Sequence, residues 1–246
     1  MTLTTALHQA QNDMINWQHC VRSSELVSAA PFFDMYHDTL LEIGGGDGYL
    51  ASLLATQFKT LRSIDVDTSK ALYYDVLKFS IEYPPFVAKS FEVVFSCHVL
   101  AHIQYKNVAM REIRRVLTDD GVAVHIVPSP WWSILTNLVH ATKVHRLLAG
   151  YVVRKVKGKP TDSLKSILLH PLGTAPSFLH EIFQFSKPSW KKFMTQRQFT
   201  CEIHDGPMLQ SGYRVFPFKF IGLRKRLAKI FPSSYILVTK KVSHGR

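Results

Sequence analysis

The chain has 246 residues, of which 46% are hydrophobic and 20% are charged. This balance excludes an intrinsically disordered protein, and the length suits one large domain. The net charge of +12 favours anionic partners, such as a nucleic acid, a phosphorylated or acidic glycan or an anionic membrane surface. A well-solvated basic surface without such a partner would explain the charge equally well.

The cysteines and the apolar stretches exclude several further classes. Cys20, Cys97 and Cys201 lie far apart without ligand spacing, so we expect neither a disulfide framework nor a metal site. Free cysteines fit a reducing cytoplasm. No signal peptide is recognisable, and the most apolar stretch, residues 131–153, is interrupted by polar and charged side chains. A membrane span needs about 20 apolar residues, so we expect none, while contact with a membrane surface stays open.

Predicted strands and helices alternate along the chain. The predicted helices cover residues 5–28, 49–58 and 105–121, the last ended by Gly121. The predicted strands cover residues 38–44, 60–66, 71–77, 90–100, 122–128, 199–206 and 234–241. Apolar strands that alternate with helices predict an α/β fold, in which a doubly wound, mostly parallel sheet is covered on both faces.

We predict one domain built from four parts. Residues 1–37 form a helical lead, residues 38–128 a ligand-binding core, and residues 191–246 the last strands and a helix. Residues 129–190, which are rich in proline, histidine and aromatic residues, form an insert over the carboxyl edge of the sheet.

A glycine cluster follows the first predicted strand. In LEIGGGDGYL, residues 41–50, Gly44, Gly46 and Gly48 stand between that strand and a predicted helix. Glycines let the backbone turn tightly and approach a ligand, and a helix N-terminus offers unpaired N–H donors. In such sheets ligands bind at the carboxyl ends of the strands.

The glycine spacing separates two ligand classes. A dinucleotide site needs G-x-G-x-x-G, but counting from Gly44 puts Tyr49 at the last position. Counting from Gly46 puts Ala51 there, which the alanine-tolerant form of the pattern allows. Glu42, just before the glycines, would repel a pyrophosphate but suits the cationic methionine part of S-adenosylmethionine.

Several segments together resemble the class I S-adenosylmethionine-dependent methyltransferases, in particular those of type 11. Residues 42–48 match the first motif, E-x-G-x-G-x-G, and Asp65 stands where the family places a carboxylate on the ribose hydroxyls. SFEVVFSCHVLAHI (residues 90–103) and REIRRVLTDDGVAVHIVPS (residues 111–129) resemble the fourth-strand motif and the segment after it. The resemblance covers roughly residues 38–128.

The resemblance implies a Rossmann-like methyltransferase fold with a seven-stranded sheet, and an enzyme whose cofactor is S-adenosyl-L-methionine. It also implies a role for Asp75 and the neighbouring backbone of Val76 at the adenine. The implied cofactor-binding residues are Glu42, Gly44, Gly45, Gly46, Gly48, Asp65, Val66, Asp75, Val76, Ser96 and Cys97.

Two histidines are the candidate catalytic residues. A hydroxyl or protonated amine acceptor needs a general base, and histidine titrates near neutral pH. His98 follows the fourth strand at the edge where the methyl group is expected, and His102 belongs to the next turn. Packing against the cofactor or capping the next helix would also explain His98, and a structural role is favoured for His102. His125, inside a predicted strand, is expected to be a hydrogen-bonded core residue.

Four functions remain open from the sequence. Methyl transfer to a small-molecule or saccharide acceptor, which the charge would allow to be anionic, is favoured, with O-methylation using the histidine base. The charge of +12 also fits an RNA methyltransferase, but SCHV, residues 96–99, replaces the segment expected for base methylation. The third function is that of a non-catalytic binding module, and the fourth is that of a nicotinamide oxidoreductase.

Overall fold

The computed structural model describes residues 17–141, 171–211 and 221–242, which form one sheet with helices packed on it. The strands are β1 (Thr39–Ile43), β2 (Thr60–Asp65), β3 (Val76–Lys78), β4 (Phe91–Cys97), β5 (Leu117–Pro128), β6 (Phe199–Asp205) and β7 (Ser234–Lys241). The helices are α1 (Trp17–Ala29), α2 (Tyr49–Leu54), α3 (Lys106–Val116), α4 (Pro130–Ala141), α5 (Phe178–Gln184), α6 (Lys187–Thr195) and α7 (Ile221–Ala228), with a 3-10 turn at Ala30–Phe32.

The seven strands lie in the order β3-β2-β1-β4-β5-β7-β6. The first five are parallel, and β7 is antiparallel to both of its neighbours, β5 and β6. Strand order therefore reverses between β1 and β4, and this switch point is where α/β sheets bind ligands. The prediction of a doubly wound, mostly parallel seven-stranded sheet is confirmed.

The sheet separates two apolar cores. One core packs Met110 and Ile113 of α3 and Trp190 of α6 against one face. The other packs Leu26 of α1 and Leu54 of α2 against the opposite face. Because both faces are covered, the central strands are apolar on both sides, as their sequences indicate.

Several predicted boundaries differ from the structure: the helix predicted over residues 49–58 ends at Leu54, and the strand predicted over residues 90–100 covers Phe91–Cys97. The helix predicted over residues 105–121 ends at Val116, and Leu117 is extended and pairs with Phe91. Gly121 therefore lies inside β5, where a Cβ would come 2.7 Å from the carbonyl oxygen of Glu92. Glycine at this position lets the backbones of β5 and β4 approach closely, and it is not the residue that ends α3.

The third strand is shorter and later than predicted. The sequence pattern places it at residues 71–77, but β3 begins at Val76, and residues 66–75 form the connection that precedes it. In that connection the N–H groups of Leu72 and Tyr73 donate to the carbonyl oxygen of Asp47. These bonds fasten the connection to the glycine loop in place of a strand partner.

Within the three described ranges, the helices are all too short or too polar to traverse a lipid bilayer.

Candidate active site

A cavity of about 670 Å³ opens at the carboxyl ends of β1, β2 and β4. Its volume falls in the range of roughly 300–1,000 Å³ that is common for small-molecule sites. Gly44, Asp65 and Val66 line it from the first two strands, and Cys97 and His98 from the fourth. The cavity therefore lies at the switch point, where the sequence predicts the cofactor.

The glycine loop owes its shape to positive φ angles. Gly44, Gly46 and Gly48 have φ angles of 78°, 56° and 81°, a region that glycine enters without penalty. At Gly44 a Cβ would lie only 2.1 Å from Cγ2 of Val99, so the close approach of β1 to the turn after β4 requires glycine. The N–H groups of Gly44 and Gly45 both donate to the carbonyl oxygen of Ile64 at the end of β2.

Asp65 ties the glycine loop to the end of β2. Its Oδ2 accepts a hydrogen bond from the N–H of Gly46 at 2.9 Å, and its Oδ1 accepts one from the N–H of Asp67 at 3.0 Å. The next residue, Val66, is 67% exposed in the cavity. The carboxylate is thus fixed at the cavity wall beside an apolar side chain, an arrangement that can hold a ribose and the ring attached to it.

Seven of the predicted cofactor residues do not line this cavity. Asp75 and Val76 lie at the amino end of β3, and the loop after β3 supplies residues 79–82 to the cavity instead. The physical reason is that a parallel strand presents its carboxyl end, not its amino end, to the binding edge. The others outside the lining are Glu42, Gly45, Gly46, Gly48 and Ser96.

Glu42 and Ser96 are buried beneath the cavity floor. Glu42 is 2% exposed, and its Oε2 accepts a hydrogen bond from Ser63 Oγ at 2.6 Å. Burial raises the pKa of Glu42 to about 7, and the nearby carboxylates of Asp47 and Asp65 act in the same direction. Ser96 pairs with Nδ1 of His125 at 2.8 Å, which confirms His125 as a hydrogen-bonded core residue.

His98 sits in a buried network that joins β4 to α1. Its Nε2 lies 2.9 Å from Oε1 of Glu25, whose side chain is only 1% exposed. Arg22 Nη1 donates to Oε2 of Glu25 at 2.9 Å, and Gln210 Nε2 donates to Oε1 at 2.9 Å. The thiol of Cys97 donates to the same carboxylate at 3.6 Å.

The charges in this network favour an ionised Glu25 beside a neutral His98. Burial disfavours the Glu25 carboxylate, but the interactions with His98 and Arg22 outweigh it and lower its pKa to about 2. Burial and the positive charge of Arg22 lower the pKa of His98, opposed in part by Glu25. Burial also raises the pKa of the Cys97 thiol. Since Arg22 neutralises Glu25, the histidine need not be protonated for the carboxylate to stay charged.

The same network has the donor atoms of a metal site but already contains a cation. Ligand atoms of Glu25, Cys97 and His98 lie within 4.8 Å of one another. Arg22 Nη1 contacts both Glu25 and the Cys97 sulfur, the latter at 3.5 Å. The guanidinium thus occupies the side of the carboxylate that a metal ion would need, and a thiol with a raised pKa is a poor ligand.

His102 also lines the cavity. Its backbone N–H donates to the carbonyl oxygen of Val99 in the turn after β4, while its side chain is exposed. Partial burial lowers its pKa. His98 and His102 therefore line one cavity, as predicted, but within the described ranges only His98 of the two is hydrogen-bonded to a carboxylate.

Sequence reasoning missed the contributions of α1 and of the segment after β6. Arg22, Glu25 and Gln210 were not singled out, because polar residues in a polar helix and in a loop resemble solvated surface. One signal was present: Arg22 and Glu25 are three residues apart on a helix that also carries Val21 and Leu26, so they lie on one face beside apolar residues.

Comparisons with known proteins agree with this geometry. Residues 41–125 match the family model of a methyltransferase domain. No curated protein sequence matches the chain. A solved S-adenosylmethionine dependent methyltransferase from Mesorhizobium loti is similar, with 9% identity, a TM-score of 0.54, and coverage of 89% of this chain and 98% of that one.

Two further solved structures share the fold. A SAM dependent methyltransferase from Archaeoglobus fulgidus has 14% identity and a TM-score of 0.52, over 88% of this chain and 91% of that one. A complex of DhpI with SAH has 11% identity and a TM-score of 0.52, over 97% and 94%. At these identities the structural similarity supports only the fold, whereas the match to the family model supports a methyltransferase domain.

The switch-point cavity, the glycine loop tied to Asp65 and the family match lead to the same conclusion. Residues 41–125 match a methyltransferase domain, and the sheet has the fold of solved S-adenosylmethionine-dependent methyltransferases. The protein is therefore an enzyme that carries a methyltransferase domain.

Proposed function

We propose that this enzyme transfers the methyl group to an oxygen atom of a small-molecule or saccharide acceptor, with His98 as the general base. One observation carries the proposal: His98 is held by a buried carboxylate in the cavity that Gly44 and Asp65 also line. A hydroxyl acceptor must lose a proton as its oxygen is methylated, so a neutral base beside the methyl group is useful.

The hydrogen bond to Glu25 favours one tautomer of His98. An ionised carboxylate only accepts hydrogen bonds, so Nε2 carries the proton and donates it to Glu25 Oε1 at 2.9 Å. Nδ1 is then the basic nitrogen, and it has no hydrogen-bond partner within the residues that the structure describes. In this proposal Nδ1 accepts the proton of the acceptor hydroxyl, and Glu25 is a positioning residue that orients the imidazole.

The backbone at His98 also supports a functional role. His98 has a φ of 58°, which is uncommon for a residue with a side chain. Its N–H donates to the carbonyl oxygen of Ile126 at 2.7 Å, which fastens the strained residue to β5. Such conformations cost on the order of 1–3 kcal/mol and cluster at functional sites, where the surrounding structure holds them.

The cofactor and the acceptor are assigned to different walls of the cavity. S-adenosylmethionine supplies an activated methyl group, and Gly44, Asp65 and Val66 would hold it. We assign the acceptor to the wall formed by His98, His102 and Trp132, the last of which stands 6.5 Å from the His98 ring between ring centres. Trp132 belongs to the predicted insert, residues 129–190, of which residues 142–170 lie outside the described ranges.

Titration calorimetry tests the cofactor half of the proposal. We expect S-adenosylmethionine and S-adenosylhomocysteine to bind with micromolar dissociation constants and NAD to give no heat, because the loop lacks the last glycine of a dinucleotide site. Transfer from radiolabelled S-adenosylmethionine into fractionated cell extract then identifies the acceptor. Label that enters RNA or protein and no small molecule would refute the acceptor class; absence of cofactor binding would refute the whole proposal.

The pKa of His98 tests the role of Glu25 without an acceptor. We expect Glu25→Gln to lower the pKa of His98, because it removes a negative charge that stabilises the imidazolium, and Arg22→Gln to raise it. The measurement is a side-chain nitrogen NMR titration of histidine-labelled protein, with the His98 signal assigned by its loss in His98→Gln.

The charged groups around His98 fix the sign of these shifts. The charged groups are Arg22 and Glu25 from α1, and the other titratable groups are the neutral thiol of Cys97 from β4 and His102 from the following turn. Proton transfer to His98 requires its unprotonated form, so the acid limb of the rate should move to lower pH in Glu25→Gln and to higher pH in Arg22→Gln. Equal His98 pKa values in the wild type and both variants would contradict the positioning role.

A further inference from the structure

A second cavity, of about 480 Å³, lies between α3 and the turn that follows α6. Its lining includes three arginines, Arg111, Arg114 and Arg197, which we call the arginine groove. Asn107, Gln196 and Gln198 supply further polar groups, and the lining contains no acidic residue. Part of the net charge of +12 is therefore concentrated in one place.

Arg197 is held in position by neutral partners only. Its Nη1 donates to the carbonyl oxygen of Phe193 at 2.6 Å, its Nη2 donates to Asn107, and its Cζ lies 3.8 Å from the centre of the Phe193 ring. Its Nε is buried and has no hydrogen-bond partner among the described residues. A buried donor without an acceptor is costly, so the described residues leave the hydrogen-bonding capacity of this guanidinium incomplete.

The other two arginines also lack a carboxylate within the described ranges. Arg114 donates to the carbonyl oxygens of Gln198 and Val242 at 2.7 Å and 3.4 Å. Arg111 is exposed and forms no ion pair there, and the nearest acid in sequence, Glu112, is bound to Arg115 at 2.7 Å. Three like charges around one cavity repel one another unless an anion joins them.

We propose that the arginine groove binds a compact anion, a phosphate or diphosphate group. Guanidinium groups match phosphate oxygens with paired hydrogen bonds, and these are stronger than hydrogen bonds between neutral groups. Three guanidiniums around one small cavity suit a compact anion. A nucleic-acid backbone would instead be contacted by cations spread along an extended surface.

The start of α3 contributes one residue to each of the two cavities. Tyr105 lines the active-site cavity, Asn107 lines the groove, and Lys106 stands between them at the start of α3. The two cavities share no lining residue, so anion binding in the groove is proposed independently of the proposed function.

Titration of the whole protein with inorganic pyrophosphate tests the proposal. We expect saturable binding that shifts the Nε–H signal of Arg197 in NMR spectra, and about tenfold weaker binding in Arg111→Gln, which removes one charged donor. Arg111 is exposed and bound to no other side chain in the described structure, so this variant should fold normally. Lys59→Gln is the matched control, since Lys59 is exposed and paired with Asp38 elsewhere on the surface.

The same variants separate the competing occupants. Absence of pyrophosphate binding, or equal affinity in the wild type and Arg111→Gln, would overturn the proposal. So would binding of a single-stranded RNA oligonucleotide or of anionic lipid vesicles that depends on Arg111 while pyrophosphate does not bind. S-adenosylhomocysteine affinity, measured in parallel, should be equal in the wild type and Arg111→Gln; its absence from both would refute the cofactor site while leaving the groove to stand on the pyrophosphate result.

Discussion

Replacing His98 by glutamine should lower the rate of methyl transfer about 100- to 10,000-fold, the usual contribution of a positioned general base. Glutamine can still donate to Glu25, so the buried network keeps its hydrogen bond and only the base is lost. S-adenosylhomocysteine affinity should therefore stay near the wild-type value. The rate is measured with radiolabelled cofactor and the acceptor found by label transfer, and the affinity by calorimetry.

Two other histidines serve as references for this experiment. His102→Gln should reduce the rate less, because His102 lines the cavity without a carboxylate partner. His180→Gln should leave it unchanged, because His180 is exposed on α5 and bonded to Ser177 outside the cavity. A full rate in His98→Gln would make His98 a packing residue, and a loss confined to His102→Gln would transfer the role of the base to His102.

The sheet was predictable because the strands contain consecutive apolar residues, which indicate burial on both faces. Val93, Val94 and Phe95 are consecutive and wholly buried, as expected for a strand covered on both faces. The boundary at Leu117 was not predictable in the same way. The apolar residues from Val108 to Leu117 keep a helical period, which predicts a helix through Leu117. In the structure Leu117 is instead extended, because it pairs with Phe91 of the neighbouring strand. At this position a tertiary contact, and not the local sequence pattern, determines the backbone conformation.

The sequence places four of the eleven predicted cofactor residues in the cavity lining and gives His98 without its partners. Gly44 and Asp65 stand in motifs that follow a strand directly, so sequence position fixes their place at the binding edge. Glu25 reaches His98 across 73 residues of chain, and only the packing of α1 on the sheet brings the two together. The sequence around a carboxylate in a polar helix does not indicate that the side chain is buried.

The buried carboxylates Glu25 and Glu42 show how position in the fold separates chemically similar groups. Glu25 has His98 and the guanidinium of Arg22 as partners and stays ionised, with a pKa of about 2. Glu42 is bonded to Ser63 and has no cationic partner among the described residues, and its pKa is about 7. The first can fix the tautomer of a neighbouring histidine. The second lies under the glycine loop, where a protonated carboxyl can remain buried without a cation.

Replacing Gly46 by valine should lower the affinity for S-adenosylmethionine more than about 100-fold, provided that the cofactor extends from Gly44 over the loop. A Cβ at Gly46 would meet no atom of the protein within 4 Å, so the added side chain would occupy open space beside the bond from Gly46 to Asp65. The φ of 56° makes any side chain there strained, at a cost of about 1–2 kcal/mol in folding free energy.

Gly46→Ala separates backbone strain from occupied volume. The alanine variant has to adopt the same φ, so we expect it to lose the folding stability that this backbone strain costs. Because alanine adds only a methyl group, we expect the loss of cofactor affinity to be far smaller than in the valine variant. Unfolding in urea measures the first quantity, and calorimetry with S-adenosylhomocysteine the second. If valine and alanine weaken binding equally, strain transmitted to Asp65 explains the loss; if valine binds as the wild type does, the cofactor ends at Gly44, where the lining of the cavity stops.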